Sequence, residues 1–422
     1  MRGHEKMFRS RKTAAWVAGL VCLVAVHGAA VARNASPDDT ARFLAGMPLS
    51  AQSPLAPLTR NPGWQRHARW LDDAWGTLED RQISNIRAWS DKHIKHGKSP
   101  LYYMFSGPDF LYADAFFPNA STYVLSGLEP VGTIPNVTER SIGALPRIQS
   151  SIASSVRMSF FITRDMRDQL QGGELAGTLP ILYVYVARAG KTISETTLVN
   201  LDKDGELHAA GARDARGTVP GVRIVFSGNG GPPQTLYYFR TDVSDSGVKN
   251  SGFLKFSGKF GAGNALLKSA SYLMHSSNFR LVRDFVVQHS NTVVQDDSGI
   301  PIAYLKPDDW QLTPFGKYLG PVDVFPGRSQ PKLAEMYKKG NPPPLEFGIG
   351  YRWRGFDSNL LLAVKKEPAR EPALVSAAPA QADTADPLLR GAIHPQKAQE
   401  AVVSPFKRQE PDPQQKQEAV AR

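Results

Sequence analysis

The chain has a single cysteine, Cys22, and it lies inside an amino-terminal stretch built for removal. Whatever folds from the remainder must be held by burial and hydrogen bonding, with no disulfide available. Arg2, Lys6, Arg9, Arg11 and Lys12 form a basic head with Glu5 as its one acid. Thr13 to Ala32 is uncharged, with an apolar heart from Ala14 to Val26, and Ala30-Val31-Ala32 supplies the small residues that a signal peptidase cuts behind. A bilayer span needs about 20 predominantly apolar residues, and His27 with several Gly and Ala dilutes this run. The pattern predicts residues 1–32 to be a cleaved export signal. The mature protein is then expected to be soluble, periplasmic or secreted, and without a membrane span.

Charge narrows the partners. The full chain carries +11, and loss of residues 1–32 leaves 45 Lys and Arg against 38 Asp and Glu, a net +7. The bases are scattered. The densest group, Lys92, Lys95 and Lys98, recurs every three residues and reads as a solvated helix face. A nucleic-acid protein shows a basic stripe or a fold signature, so nucleic acid is not expected. The partner is expected to be a small molecule or an envelope component.

Composition divides the rest. Residues 33–62, rich in Pro, Ala and Ser, read as an extended lead-in, and residues 63–364 as a globular domain. Residues 365–422 hold eight prolines and one aromatic, Phe406. Such a segment cannot bury enough apolar area to offset its ordering entropy, so it is expected to be disordered. Within the core, Trp64 to Ile94 has helical spacing, with Trp64, Trp70, Leu71, Trp75, Leu78, Ile86 and Trp89 as its apolar positions. Ile148 to Leu170, Asn264 to Met274, Phe279 to Gln288 and Leu333 to Lys338 also read as helices. Short apolar runs at 101–105, 121–125, 181–187, 197–201, 222–226, 236–241 and 253–256 read as strands. Asp297-Ser298-Gly299 reads as a hairpin tip between 292–294 and 302–305, and 347–364 closes the core with strand. Strands clustered between helices predict an α+β domain with one mixed or antiparallel sheet and packed helices.

The densest chemistry lies in residues 101–120, LYYMFSGPDFLYADAFFPNA. A strand ending at Ser106-Gly107-Pro108-Asp109 and followed by aromatics makes a pocket wall with a few polar groups. Ser106, Asp109, Tyr112, Asp114 and Asn119 are the expected ligand-binding residues. Asp109 and Asp114 could divide acid and base roles, with His275 as a further catalytic candidate. Against this, Ser-Gly-Pro-Asp is a good turn and Asp109 a good helix cap.

Other motifs are weaker. Asp296 and Asp297 are adjacent, so on a strand they would face opposite ways. Asn200-x-Asp202-x-Asp204-Gly205 begins like a calcium loop but has Gly211 where a bidentate Glu is required, and reads better as an Asp-Gly hairpin. His67, His93 and His96 lack zinc spacing and read as exposed. Gly258, Gly261 and Gly263 before Asn264 could seat an anion if a helix began there. No Gly-x-Ser-x-Gly elbow, Walker loop or dinucleotide fingerprint is present, so neither metal nor cofactor is expected.

The sequence therefore predicts an exported protein that binds a ligand through its aromatic loop. A carboxylate-dependent hydrolase using Asp109 and Asp114, and an envelope scaffold, are the alternatives. Amino-terminal sequencing of the exported protein should begin at Arg33; a membrane-bound protein beginning at Met1 would refute the cleaved signal.

Overall fold

Five parallel strands that send apolar side chains into a core on each face form the middle of the molecule. The computed structural model describes residues 34–160, 172–210, 218–228 and 230–366. The expected signal and nearly all of the tail lie outside them. The sheet has ten strands: β1 (Leu101–Tyr103), β2 (Thr122–Gly127), β3 (Lys191–Leu201), β4 (Leu207–Ala209), β5 (Val219–Gly228), β6 (Gln234–Arg240), β7 (Gly263–Leu267), β8 (Ser290–Gln295), β9 (Trp310–Gly316) and β10 (Asn359–Lys365). Their order is β4-β3-β5-β6-β2-β1-β7-β8-β10-β9. The stretch from β6 to β8 is parallel, and the strands outside it pair antiparallel. The protein is thus an α+β domain on a mixed sheet, as the clustering of strands predicts.

Side chains of the central strands alternate between two cores, as a pleat of period two requires. Tyr103, Tyr123, Leu125, Leu266 and Val294 enter one core, and Tyr102, Val124, Ala265, Leu267 and Val293 the other. Parallel strands need covering on both faces. Helices Pro37–Leu44, Pro62–Leu78, Ser84–His93, Phe110–Phe116, Leu145–Met158 and Leu179–Arg188 cover the first face, while Phe253–Gly258, Arg280–His289 and Pro331–Gly340 cover the second.

Local chemistry explains the helix starts. Asn61 caps Pro62–Leu78 through the Gly63 N–H at 2.8 Å, with Pro62 at the first position, where no N–H is missed. Trp64, His67, Ala68, Leu71, Trp75 and Leu78 form its buried stripe. Asp109 caps Phe110–Phe116 through the Tyr112 N–H at 3.2 Å.

Several expectations are corrected. The lead-in is not extended throughout: Pro37–Leu44 is a helix, capped by Ser36, with Phe43 and Leu44 fully buried. Ile181 to Ala187 is helix, not strand. Every residue from Leu179 to Ala187 is buried, so no polar face reveals the helical period. Phe253 to Phe256 is likewise helical. Asn264 to Leu267 is strand β7, followed by a 3-10 turn at Ser269–His275, so the glycines before it do not open a helix. Residues 302–304 are a 3-10 turn, and β8 pairs with β7 and β10, so 297–299 is not a hairpin tip. Strand β9 went unread because Pro314 interrupts it; it lies at the sheet edge, where proline is tolerated. His67 is buried, with its Nε2 2.8 Å from the Leu44 carbonyl oxygen, rather than exposed. Among the described residues no helix is long and apolar enough to cross a membrane.

Candidate functional site

Strand β1 is flanked by β2 on one side and β7 on the other, all parallel. The helix Phe110–Phe116 carries the chain from β1 to β2 over one face. Residues 269–289 carry it from β7 to β8 over the other. The loops leaving β1 and β7 therefore part in opposite directions, and the gap between them is where open parallel sheets bind ligands. A cavity of about 40 Å³ occupies it, walled by Tyr103, Phe105, Ser106, Gly107 and Asp109 after β1, Glu129 after β2, and Lys268, Ser269 and Ala270 after β7. Phe160 and Tyr351 complete the wall.

An ion pair spans the gap. Lys268 Nζ lies 2.8 Å from Asp109 Oδ2, with the two side chains 2 % and 1 % exposed. The Tyr103 hydroxyl donates to the same carboxylate oxygen at 2.9 Å. Lys268 also donates to the Ser159 carbonyl and sits 4.4 Å from the centre of the Tyr112 ring. Burial and the adjacent Asp109 raise Tyr103 well above the ordinary phenol range, so it remains a donor.

Beside the pair, Ser269 has φ +60, and its Oγ is buried with no hydrogen-bond partner. Its N–H donates to Asp296 Oδ2 at 3.3 Å. Asp296 and Asp297 directly follow β8, and both are buried. Asp296 Oδ1 accepts from the Ser298 N–H at 2.9 Å and from the Ser298 hydroxyl; Asp297 accepts from the Tyr272 hydroxyl. Burial, reinforced by Asp297, pushes Asp296 up to about 7. Burial raises Asp297 too. Gly350 passes so close that a Cβ there would collide with Asp296 Oδ2.

Glu129 supplies a fourth buried carboxylate, 3 % exposed, and accepts from the Tyr238 hydroxyl at 3.3 Å. It fits because Gly127 has no Cβ: a methyl group there would strike Glu129 Oε2 and the Gly107 backbone.

Of the residues singled out from sequence, Ser106 and Asp109 reach the cavity. Ser106 donates to the Gly107 carbonyl at 2.7 Å and accepts from the Ser126 N–H at 3.2 Å. Tyr112 lies beneath Lys268. Asp114 points elsewhere: it pairs with Lys191 at 2.9 Å and accepts from Tyr123 at 3.4 Å. Asn119 is exposed just before β2, at the opposite edge of the sheet. His275 Nε2 lies 2.9 Å from the Gly299 carbonyl oxygen and borders a separate hollow with Arg328 and Gln330. Asp109, Asp114 and His275 are thus not assembled into one site.

Lys268, Ser269, Glu129 and Tyr351 were not singled out from sequence. The one local signal was an acid, Glu129, just past the second strand. The calcium-like loop is the β3–β4 hairpin, where Asp202 is pushed down to about 2 by His208 and by backbone N–H groups. Among the described residues, no group of acids and histidines is arranged to hold a metal ion. No family model, curated protein or solved structure matches the chain.

Two outcomes follow from this geometry. Lys268→Met should cost about 3–5 kcal/mol in urea unfolding, because it strands a buried carboxylate; adding Asp109→Asn should recover part of that loss. Native Asp296 keeps its proton to about pH 7, whereas the unfolded chain releases it near 3.8. Its contribution to stability is therefore complete below 3.8 and lost as pH rises to 7. His275, pushed down to about 4 chiefly by burial and by Arg328, acts oppositely: its contribution is complete above 6.5 and lost as pH falls to 4. The quantity to measure is the unfolding free energy of wild type minus that of Asp296→Asn, which should decrease steadily from pH 4 to 7. A constant difference would refute the assignment.

Proposed function

We propose that the protein is exported and that its mature form binds a small neutral ligand bearing hydroxyl groups in the crevice above β1, β2 and β7. The export reading rests on the basic head, apolar middle and small-residue exit of residues 1–32. The ligand reading rests on one observation: a cavity at the switch point of a parallel sheet is lined by buried groups able to accept hydrogen bonds. Glu129 comes from the end of β2, and Ser269, 6 % exposed and without a partner, from the end of β7. An unpaired buried hydroxyl costs roughly 1–3 kcal/mol, a cost that a bound hydroxyl would remove. The wall carries two carboxyl side chains, Asp109 and Glu129, beside one lysine, Lys268, a lining that does not favour an anionic ligand.

Size and walls refine the class. At about 40 Å³ the cavity holds the head of a molecule, such as a hydroxymethyl group, and not a whole sugar ring. Phe105, Phe160, Tyr103 and Tyr351 offer apolar ring surface to the carbon atoms.

Saturation-transfer NMR with glycerol and ethylene glycol tests this. Transfer from the wild-type protein should be clear and should fall several-fold in Glu129→Gln. Equal transfer in the two proteins, or none to either compound, would sink the proposal.

A further inference from the structure

Among the described residues, three that are not glycine have a left-handed backbone: Ser159, Ser269 and Asn341. Ser159 and Asn341 close the helices Leu145–Met158 and Pro331–Gly340 at their carboxyl ends, where that conformation is routine. Ser269 has no helix before it. It follows β7 and the extended Lys268 and opens the turn Ser269–His275. A strained serine at the apex of a strand-to-helix turn stands its hydroxyl out from the carboxyl edge of a sheet, which is the geometry of a nucleophile elbow. The flanking glycines of the usual elbow sequence are replaced by Leu267 and Ser271, so the motif is invisible to a pattern search.

The surroundings suit the role. Ser269 Oγ lies on the cavity wall and has no partner. Asp296 Oδ2 is held beside the residue by its N–H, at 3.3 Å. Gly350 leaves room there: a Cβ on it would come within 3.4 Å of Ser269 Oγ as well as striking Asp296. Lys268 places a buried ammonium on the same wall. The geometry points to Ser269 as a nucleophile that removes a short neutral acyl group from an ester, with Asp296 as its base and Lys268 stabilising the oxygen that becomes negative.

This assignment rests on the reading of the crevice as the binding site and names its substrate class, an acylated hydroxyl compound. The Oγ–C bond forms at the carbonyl carbon as Oγ turns toward Asp296 Oδ2, which the Ser269 N–H already holds at 3.3 Å, and passes it the hydroxyl proton. The tetrahedral intermediate then collapses, the ester C–O bond breaks, and the leaving alcohol takes that proton. Water repeats both steps on the acyl-serine and releases the free acid, so no further reactant is consumed. Burial and Asp297 push Asp296 up to about 7, which lets it take and return a proton near neutral pH. The cavity, at about 40 Å³ with Phe105, Phe160 and Tyr351 on its walls, fits an acetyl-sized group.

Methanesulfonyl fluoride, a small reagent for activated serines, tests the assignment on the mature chain near neutral pH. The hydroxyl proton passes to Asp296, an Oγ–S bond forms, the S–F bond breaks and fluoride leaves. Peptide mass spectrometry should find one sulfonyl ester, on Ser269. Asp296→Asn should slow labelling about 100-fold or more, the lower reach of a general base. Ser269→Gly suits the left-handed backbone, so it should melt no lower than wild type and take no label at that peptide. The assignment is overturned by a wild type left unlabelled while a serine esterase in the same tube reacts, by labelling confined to other serines, or by an unchanged rate in Asp296→Asn. If glycerol still shows saturation transfer to an unlabelled wild type, the nucleophile fails and the binding site stands; loss of both removes the reading of the crevice itself.

Discussion

The carboxyl edge of the sheet is organised around Asp109 and Lys268. Two opposite charges 2.8 Å apart, both almost completely buried, join the loop after β1 to the loop after β7. Burial of such a pair gives little net stability over a well-packed apolar pair, because desolvation offsets most of the attraction. What the pair does supply is position. Asp109 also caps the helix Phe110–Phe116, and Lys268 directly precedes Ser269. Helix start, ion pair and left-handed turn are therefore fixed together, and none can move without stranding a charge.

The double-sided burial of the central strands creates the need for that anchor. Parallel strands are joined by crossovers, and here the crossover after β1 covers one face and the crossover after β7 the other. Nothing covalent holds β1 beside β7, and only two residue pairs register between them, Leu101 with Asn264 and Tyr102 with Ala265. A buried cross-link at the carboxyl end, supported by the Tyr103 hydroxyl, compensates for that short pairing. The outer strands need no such device, since β3 and β5 pair along nearly their whole length.

Local signals were legible where chemistry and conformation agree. Asn61 and Pro62 announce their helix, and the tryptophan spacing reveals its buried face. Asp109 was visible both as a cap and as a site residue, and it is both a cap and part of the cavity wall. What could not be read depends on long-range placement. Leu179 to Ala187 is buried all round, so its period is hidden, and β7 looks helical because burial on both faces removes alternation. Lys268 lies 159 residues after Asp109, and no local pattern joins them. Asp296 and Asp297 looked like a turn because adjacent acids before Ser-Gly usually are one; only the pairing of β8 with β7 and β10 turns them inward.

Volume alone would place the site elsewhere. Two hollows, of about 500 and 520 Å³, are far larger than the crevice. Neither brings together buried charges from different strands. Across the rest of the fold, local choices support the structure, as the caps at Ser36, Asn61 and Ser244 show. At the crevice several unfavourable features meet within a few residues: a left-handed serine, a buried hydroxyl with no partner, two adjacent buried acids, and a glycine pressed against a carboxylate. A sequence selected only for stability would shed such features one substitution at a time, and Ser269→Gly alone would relieve both the strain and the unpaired hydroxyl. Their concentration around one small cavity at the switch point is the physical reason to place function there and not in the larger hollows.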